Sequence, residues 1–346
     1  MANPPPIPSP SLAKRFHAGG VVPADGFYVR RAADEQFLNA LRSGRLCYIL
    51  ASRQIGKSSL RSRATGILRK EGFRCAVLNL QALSFPSEAE WYHGLIRRVI
   101  EDLELRFDET VFYQKHAGLS PPLLWDTFIR EQVLAGHQNR TVFFIDEIDW
   151  VLHPEFKFSA DAFFGSLRAL FEEARSTDDN WRLTFALIGV TTPEELVKNR
   201  VRSPFNLDNV RIDLEDFSQQ EMEVLAPGLQ LVQGDAKAYL HAVFSWTGGH
   251  PYMTQRLCQR LAEQSPTASE AAVEAVQRLV ASLFGRIALD PNLQFADAYL
   301  AHYSKSTDGG QLIPLYRRIF FGEQIEWDPQ DLAHHRLLLS GLIKTQ

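Results

Sequence analysis

An apolar run, Leu46 to Leu50, passes into Ala51-Ser-Arg-Gln-Ile-Gly56-Lys57-Ser58 and then into a helical pattern that begins near Lys57. No other stretch constrains the fold as much. The spacing Ala51-x-x-x-x-Gly56-Lys57-Ser58 is that of a P-loop, with alanine where the pattern usually has its first glycine. Such a loop wraps backbone N–H groups around a β-phosphate, and the following helix N-terminus adds its unpaired amides and dipole. In that arrangement Lys57 bridges the β- and γ-phosphates and the Ser58 hydroxyl ligates Mg²⁺. Ser52, Arg53, Gln54, Ile55 and Gly56, with Lys57, Ser58 and Ser59 at the helix start, are therefore the candidate nucleotide-binding residues. Ala51 departs from the pattern, because glycine suits a position of positive φ or close approach. The plain alternative is an ordinary strand–loop–helix joint with a chance Gly-Lys-Ser. The apolar strand before the loop and the helix after it favour phosphate.

A second half of the site is expected downstream. Thr141-Val-Phe-Phe-Ile-Asp-Glu-Ile-Asp149 is an apolar strand ending in two acids, the form of a Walker B segment. Asp146 would hold Mg²⁺ through water, and Glu147 would polarise a water for attack on the γ-phosphate. The alternative for Glu147 is an acid placed at a helix start, where the dipole favours it.

Composition narrows the class. The chain has 346 residues, enough for two or three domains, and a formal net charge of −4. That mild acidity argues against an overall polyanion binder and leaves room for a local basic patch. Cys47, Cys75 and Cys258 lie far apart, with Cys47 and Cys75 in expected core strands, and no metal-type Cys/His spacing occurs. His334-His335 reads as a surface pair. The N-terminus lacks the order of a signal peptide, and no apolar run is long enough to span a bilayer, so the cytoplasm is the expected compartment.

Taken in order, Pro4-Pro-Pro-Ile-Pro-Ser-Pro10 is expected to be an extended, poorly ordered tail. Phe37, Leu38 and Leu41 give the next helix its apolar side, and Cys75 to Leu80 is a second strand. Trp91, Leu95, Ile96, Val99, Ile100 and Leu103 recur at helical spacing and read as core. Phe107 to Leu119 looks irregular, a surface insertion before a helix around Trp125 to Val133. A further helix follows over Asp161 to Phe171, and Trp181 to Val190 is a fourth strand ending in Thr191-Thr192-Pro193.

Near-continuous apolar strands alternating with helices specify an α/β fold whose parallel sheet is covered on both faces. Ligands in such sheets bind beyond the C-terminal strand ends, where Gly56-Lys57-Ser58, Asp146-Glu147 and Thr191-Thr192 all fall. A hydroxyl at Thr191 or Thr192 would sense the γ-phosphate or hold the attacking water. Equally, Thr192-Pro193-Glu-Glu195 fits a helix cap. Beyond Leu214 the chain turns to shorter helices broken at Pro227-Gly228, Thr247 to Pro251 and Ser265-Pro266, with helices over Val273 to Phe284, Leu293 to Tyr303 and Leu312 to Phe320, then a short segment from Leu337 to Ile343.

With these motifs in order, the chain resembles the AAA-like domain of bacterial STAND-type signal-transduction P-loop NTPases, which have an origin-recognition-like (ORC-like) ATPase core. The resemblance covers almost everything after about residue 16. It is carried by Phe27 to Asp34, Ser52 to Leu60, Phe144 to Asp149, Leu183 to Val190, Ser203-Pro-Phe-Asn206 and Trp246 to Gln255. It implies a disordered tail over 1–24, a P-loop ATPase core over 25–212, a small helical domain over 213–270 and an incomplete winged-helix-like domain over 271–346. Tyr28, Val29 and Arg31 match the entry segment that lies against adenine, with Arg30 where that motif has glycine. Pro251, in Gly249-His-Pro251, matches the proline that packs on the adenine face. Arg200 and Arg202 stand where related ATPases carry a γ-phosphate-sensing or trans-acting arginine. The chain stops at Ser340 to Gln346, about where the wing hairpin should start, so the winged-helix-like domain is expected to be incomplete.

The reading is an ATP- and Mg²⁺-dependent signalling or defence switch that exchanges ATP for ADP and acts with copies of itself or with a separate effector. Membranes play no part in it, and nucleic acid is not expected. Two rivals remain: a nucleotide-binding scaffold with little turnover, and a DNA-binding initiator-like ATPase. The second needs a basic stripe near the C-terminus, where Arg317, Arg318, Arg336 and Lys344 are set among Glu323, Glu326, Asp328 and Asp331.

Overall fold

The computed structural model describes residues 15–83, 87–135, 139–153, 155–175, 181–229, 235–264, 271–284, 290–304, 311–328 and 331–344. The proline-rich stretch over 4–10 and the break at Ser265-Pro266 lie outside them. The chain forms two compact units. A sheet unit comprises Ala32–Arg53, Leu60–Leu214 and Ala298–Gln346, and a helical unit comprises Met1–Arg31, Gln54–Ser59 and Glu215–Asp297.

Strands and helices alternate along the first part of the chain. The order is α1 (Ala32–Arg42), β1 (Leu46–Leu50), α2 (Lys57–Lys70), β2 (Arg74–Asn79), α3 (Glu88–Leu103), α4 (Glu109–Lys115) and α5 (Pro121–Phe128). It continues with β3 (Thr141–Asp146), α6 (Ala160–Ala174), β4 (Leu183–Gly189), α7 (Pro193–Leu196) and β5 (Asn209–Arg211). The strands pair in parallel in the order β2-β3-β4-β1-β5. Every residue of β3 and β4 is buried, the physical reason both read as near-continuous apolar runs.

The register brings the strand ends level. Leu50 pairs with Gly189, Leu187 with Ile145, and Asp146 with Asn79. One strand, β4, therefore lies between the P-loop strand β1 and the Asp146 strand β3. The P-loop, Asp146-Glu147 and Thr191-Thr192 all follow C-terminal strand ends, the edge where open α/β sheets bind ligands.

The core of the sheet unit is aromatic. Trp91 and Phe163 meet edge to face at 5.1 Å and 81°, and Phe143 and Phe185 at 5.7 Å and 76°. Burying each such phenylalanine contributes roughly 3 kcal/mol, and edge-to-face geometry adds specificity. Trp91, Leu95, Ile96 and Val99 enter this core, as their spacing predicts.

Three stretches depart from the sequence expectation. Phe107 to Leu119 is not irregular: it contains α4, capped by the Asp108 side chain and anchored in the core by Phe112, 4% exposed. The last helical segment begins earlier than Leu337, because the Asp331 carboxylate accepts from Ala333 N and starts α13 at Leu332 (below). His334 is not on the surface. It is 8% exposed, and its Nδ1 accepts from Asp328 N at 2.9 Å.

Beyond β5 come α8 (Ala236–Thr247), α9 (Pro251–Gln264), α10 (Ala272–Phe284), α11 (Pro291–Ser304), α12 (Leu312–Phe320) and α13 (Leu332–Ser340). In the helical unit, α8, α9 and α10 bury Leu240, Val243, Leu257, Leu261 and Val276 together with Phe27, Val29 and Phe217. The turn between α8 and α9 requires glycine: Gly249 has φ +81°, and a Cβ there would lie 1.9 Å from the Phe217 carbonyl oxygen. In the sheet unit, α12 and α13 close a small cluster of Leu312, Leu315, Ala333 and Leu337.

Candidate functional site

Within the helical unit, Gln54–Ser59 is the turn of the P-loop. Gln54 has φ +59° and Gly56 φ +100°, left-handed residues either side of Ile55. Alternation of this kind turns successive N–H groups to one side and makes an anion-binding concavity. The turn ends at the N-terminus of α2, whose first turn carries no acidic residue, so the positive end of the helix dipole is available to an anion.

Arg31 braces that turn. Its Nη1 donates to the Ile55 carbonyl at 2.8 Å and to the Glu215 carbonyl at 2.9 Å, and its guanidinium lies over Phe217 at 5.3 Å. A Cβ on Gly56 would come within 2.9 Å of Arg31 Nη2, a second reason for glycine there. The entry segment is tied to α9 through Gln255, which donates to the Phe27 carbonyl at 2.7 Å and accepts from His17 N at 3.2 Å. Ser59 Oγ accepts from Val22 N at 3.0 Å. Tyr28 is half-buried, whereas Val29 and Pro251 are buried, and Pro251 is the first residue of α9.

The sheet unit carries the acids. Asp146 ends β3 and is 3% exposed. Its Oδ2 accepts from Arg61 Nε at 2.8 Å and its Oδ1 from Glu147 N at 3.1 Å. Glu147 has φ +54°, a conformation that costs a non-glycine residue energy and clusters at functional turns. Next to it, Asp149 Oδ1 accepts from Val190 N at 2.8 Å, stitching the turn after β3 to the end of β4. Gly189 makes that approach possible, since a Cβ there would lie 2.7 Å from Asp149 Oδ1.

After β4 the two threonines divide their work. Thr192 caps α7 in a full capping box with Glu195. The Thr191 hydroxyl donates to Glu195 Oε2 at 3.0 Å. Glu195 Oε1 in turn accepts from Arg336 Nε of α13 at 3.2 Å, with side chains 15% and 10% exposed. A Cβ on Gly341, which ends α13, would lie 3.9 Å from Ser52 Cβ, so this helix also reaches the strand end of the P-loop. Arg202 is exposed on a 3₁₀ turn, its stem against Gly165 of α6.

Of the sequence-predicted residues, Tyr28, Val29, Arg31, Gln54–Ser59 and Pro251 belong to the helical unit. Ser52, Arg53, Asp146, Glu147, Thr191 and Arg202 belong to the sheet unit. Glu195 was expected as the cap acid of α7, whereas the contacts of Arg61 and Asp149 and the pairing of Glu195 with Arg336 were not foreseen. Helical periodicity alone could have pointed to Arg61, which shares a face of α2 with Ser58.

Residues 16–281 match the model of the AAA-like domain family. The chain belongs to that family. It is also 31% identical over 345 residues to an uncharacterized WD repeat-containing protein of Synechocystis sp., covering 95% of this chain and 28% of that protein. The chain thus spans about a quarter of the curated relative's length. Among solved structures, the Walker-type ATPase of Pyrococcus abyssi is similar at a TM-score of 0.56 and 16% identity, covering 94% of this chain and 92% of that one. The Aeropyrum pernix ORC2 protein in its ADP form is similar at a TM-score of 0.48 and 15% identity, covering 93% and 80%. Family and sheet order together make this AAA-like domain a P-loop NTPase core.

The family implies nucleotide and Mg²⁺, and the residues fit both. The left-handed turn and acid-free helix start suit a polyphosphate, and the Ser58 hydroxyl and the Asp146 carboxylate are each an oxygen donor of the kind a hard divalent cation prefers. Among the described residues no helix is long and apolar enough to cross a membrane.

Proposed function

We propose that this AAA-like domain is a slow ATPase that works as a nucleotide switch in signal transduction or defence, within the cytoplasm. The observation that carries the reading is the backbone of Gln54–Ser59, whose left-handed residues and helix start are arranged for a polyphosphate. Lys57 then neutralises the β- and γ-phosphates, and the loop N–H groups from Ser52 to Ser59 bind their oxygens. Ser58 and Asp146 hold Mg²⁺, which when bound offsets charge on the phosphates. Glu147 orients the attacking water, and the Thr191 hydroxyl holds that water or the γ-phosphate. Tyr28, Val29 and Pro251 flank the base, Arg31 fixes the loop, and Arg202 is the exposed cation available to a neighbouring copy.

The domain layout expected from the sequence, 25–212, 213–270 and 271–346, gives the switch its parts. A state change follows from γ-phosphate contacts that differ between ATP and ADP. The signalling role rests on the resemblance, and the repeat-containing relative suggests what such a switch would control: an array of WD repeats, attached or separate. Nucleic acid stays outside the reading on charge. Of the four basic residues near the C-terminus, Arg318 is paired with Glu323 and Arg336 with Glu195, which weakens the case for a basic stripe. Salt-dependent retention on duplex DNA would contradict this.

The test is ATP hydrolysis alongside light-scattering mass for wild type, Lys57→Ala and Glu147→Gln. Turnover lost in both variants, with assembly prolonged by Glu147→Gln and abolished by Lys57→Ala, supports a switch. A wild type that binds ATP yet neither turns it over nor changes mass supports a scaffold instead.

A further inference from the structure

Arg61 and Asp146 form a largely buried ion pair, with side chains 17% and 5% exposed. A carboxylate whose residue is 3% exposed overall, at the end of a fully buried strand, is costly to leave unpaired, and Arg61 supplies its countercharge through Nε at 2.8 Å. The guanidinium comes from α2, the helix whose first turn presents Ser58, and Arg61 lies one turn further along the same face. The second turn of this helix thus gives the Asp146 carboxylate a fixed cation.

We infer that Arg61 is a positioning residue that takes the place of the divalent cation, holding the Asp146 carboxylate until Mg²⁺ arrives with the nucleotide. The inference rests on the Mg²⁺-nucleotide reading above and deepens it. Two cations drawing on one carboxylate compete, because each weakens the field that the other feels. Removing the guanidinium frees the full carboxylate charge for Mg²⁺, so the metal binds at lower concentration. It also leaves a buried, unpaired carboxylate when metal is absent. Arg61 thereby sets a Mg²⁺ threshold for capturing nucleotide and keeps the empty state stable.

The test titrates Mg²⁺ at fixed fluorescent ATP analogue, following both nucleotide binding and the melting temperature, for wild type, Arg61→Met, Arg61→Gln and Arg61→Lys. In Arg61→Met the Mg²⁺ midpoint should fall roughly tenfold, the scale on which a neighbouring countercharge changes a carboxylate's affinity for a cation. Its metal-free melting temperature should fall as well. Arg61→Gln, neutral but able to hydrogen-bond, shifts the midpoint in the same direction and serves if the methionine variant does not fold. Arg61→Lys keeps the charge and the wild-type midpoint. A midpoint unchanged or raised in the neutral variants, whatever their melting temperature, overturns the assignment and leaves Arg61 a structural ion pair. A wild type without Mg²⁺-dependent binding overturns the nucleotide reading, and the assignment with it.

Discussion

Glu147 and Gly189 show how single residues shape the carboxylate edge of the sheet. Glu147 is held in a left-handed conformation immediately after the buried Asp146, so its side chain leaves β3 in a direction an extended residue would not take. Replacing it with glutamine keeps the backbone and, on the function proposed above, removes the charge that orients water. Steady-state phosphate release should fall on the order of a hundredfold or more, with ATP affinity retained. Gly189 is a packing requirement instead. Gly189→Ala drives a methyl into Asp149 and Ile148 and breaks the stitch to Val190. Urea unfolding should show a loss of about 1–3 kcal/mol.

Among the elements, α7 and α13 are joined through Glu195. The capping box is local, and Thr192→Ala should cost about 1 kcal/mol in chemical denaturation. The Glu195–Arg336 pair is different, because it reaches 141 positions along the chain and both side chains are largely buried. A double-mutant cycle with Glu195→Gln and Arg336→Met should return a coupling of about 1–3 kcal/mol. The core strands and helices also make their own prediction. Burial raises the thiol of Cys75 to about 11 and that of Cys258 to about 12, and pushes Cys47 higher still. Thiolate is the reactive form, so all three should resist an aromatic disulfide reagent at pH 8 and react together once the chain is unfolded in urea.

How much of this was legible follows from where each signal lies. β3 and β4 could be read directly, because strands buried on both faces leave near-continuous apolar runs. The helix start at Lys57 and the cap at Thr192 were legible because their chemistry is local. β5 was not, since Asn209-Val-Arg211 is a short edge strand with two polar residues. α4 was missed because Phe112 is its one buried side chain, with Tyr113 partly buried beside it, too sparse a pattern for periodicity to reveal. Arg61 with Asp146 and Glu195 with Arg336 are long-range pairs, and composition cannot announce a partner 85 or 141 positions away.

For the whole molecule, the proposed switch depends on the turn from Gln54 to Ser59 binding the phosphates of ATP. Equilibrium dialysis with labelled ATP and Mg²⁺, comparing wild type with Lys57→Ala, addresses it without assuming turnover or assembly. The account predicts saturable binding by wild type at about one nucleotide per chain, weakened at least a hundredfold in Lys57→Ala by loss of the charge-assisted phosphate contact. Wild type that retains no ATP, or a variant that binds it equally well, would contradict the claim.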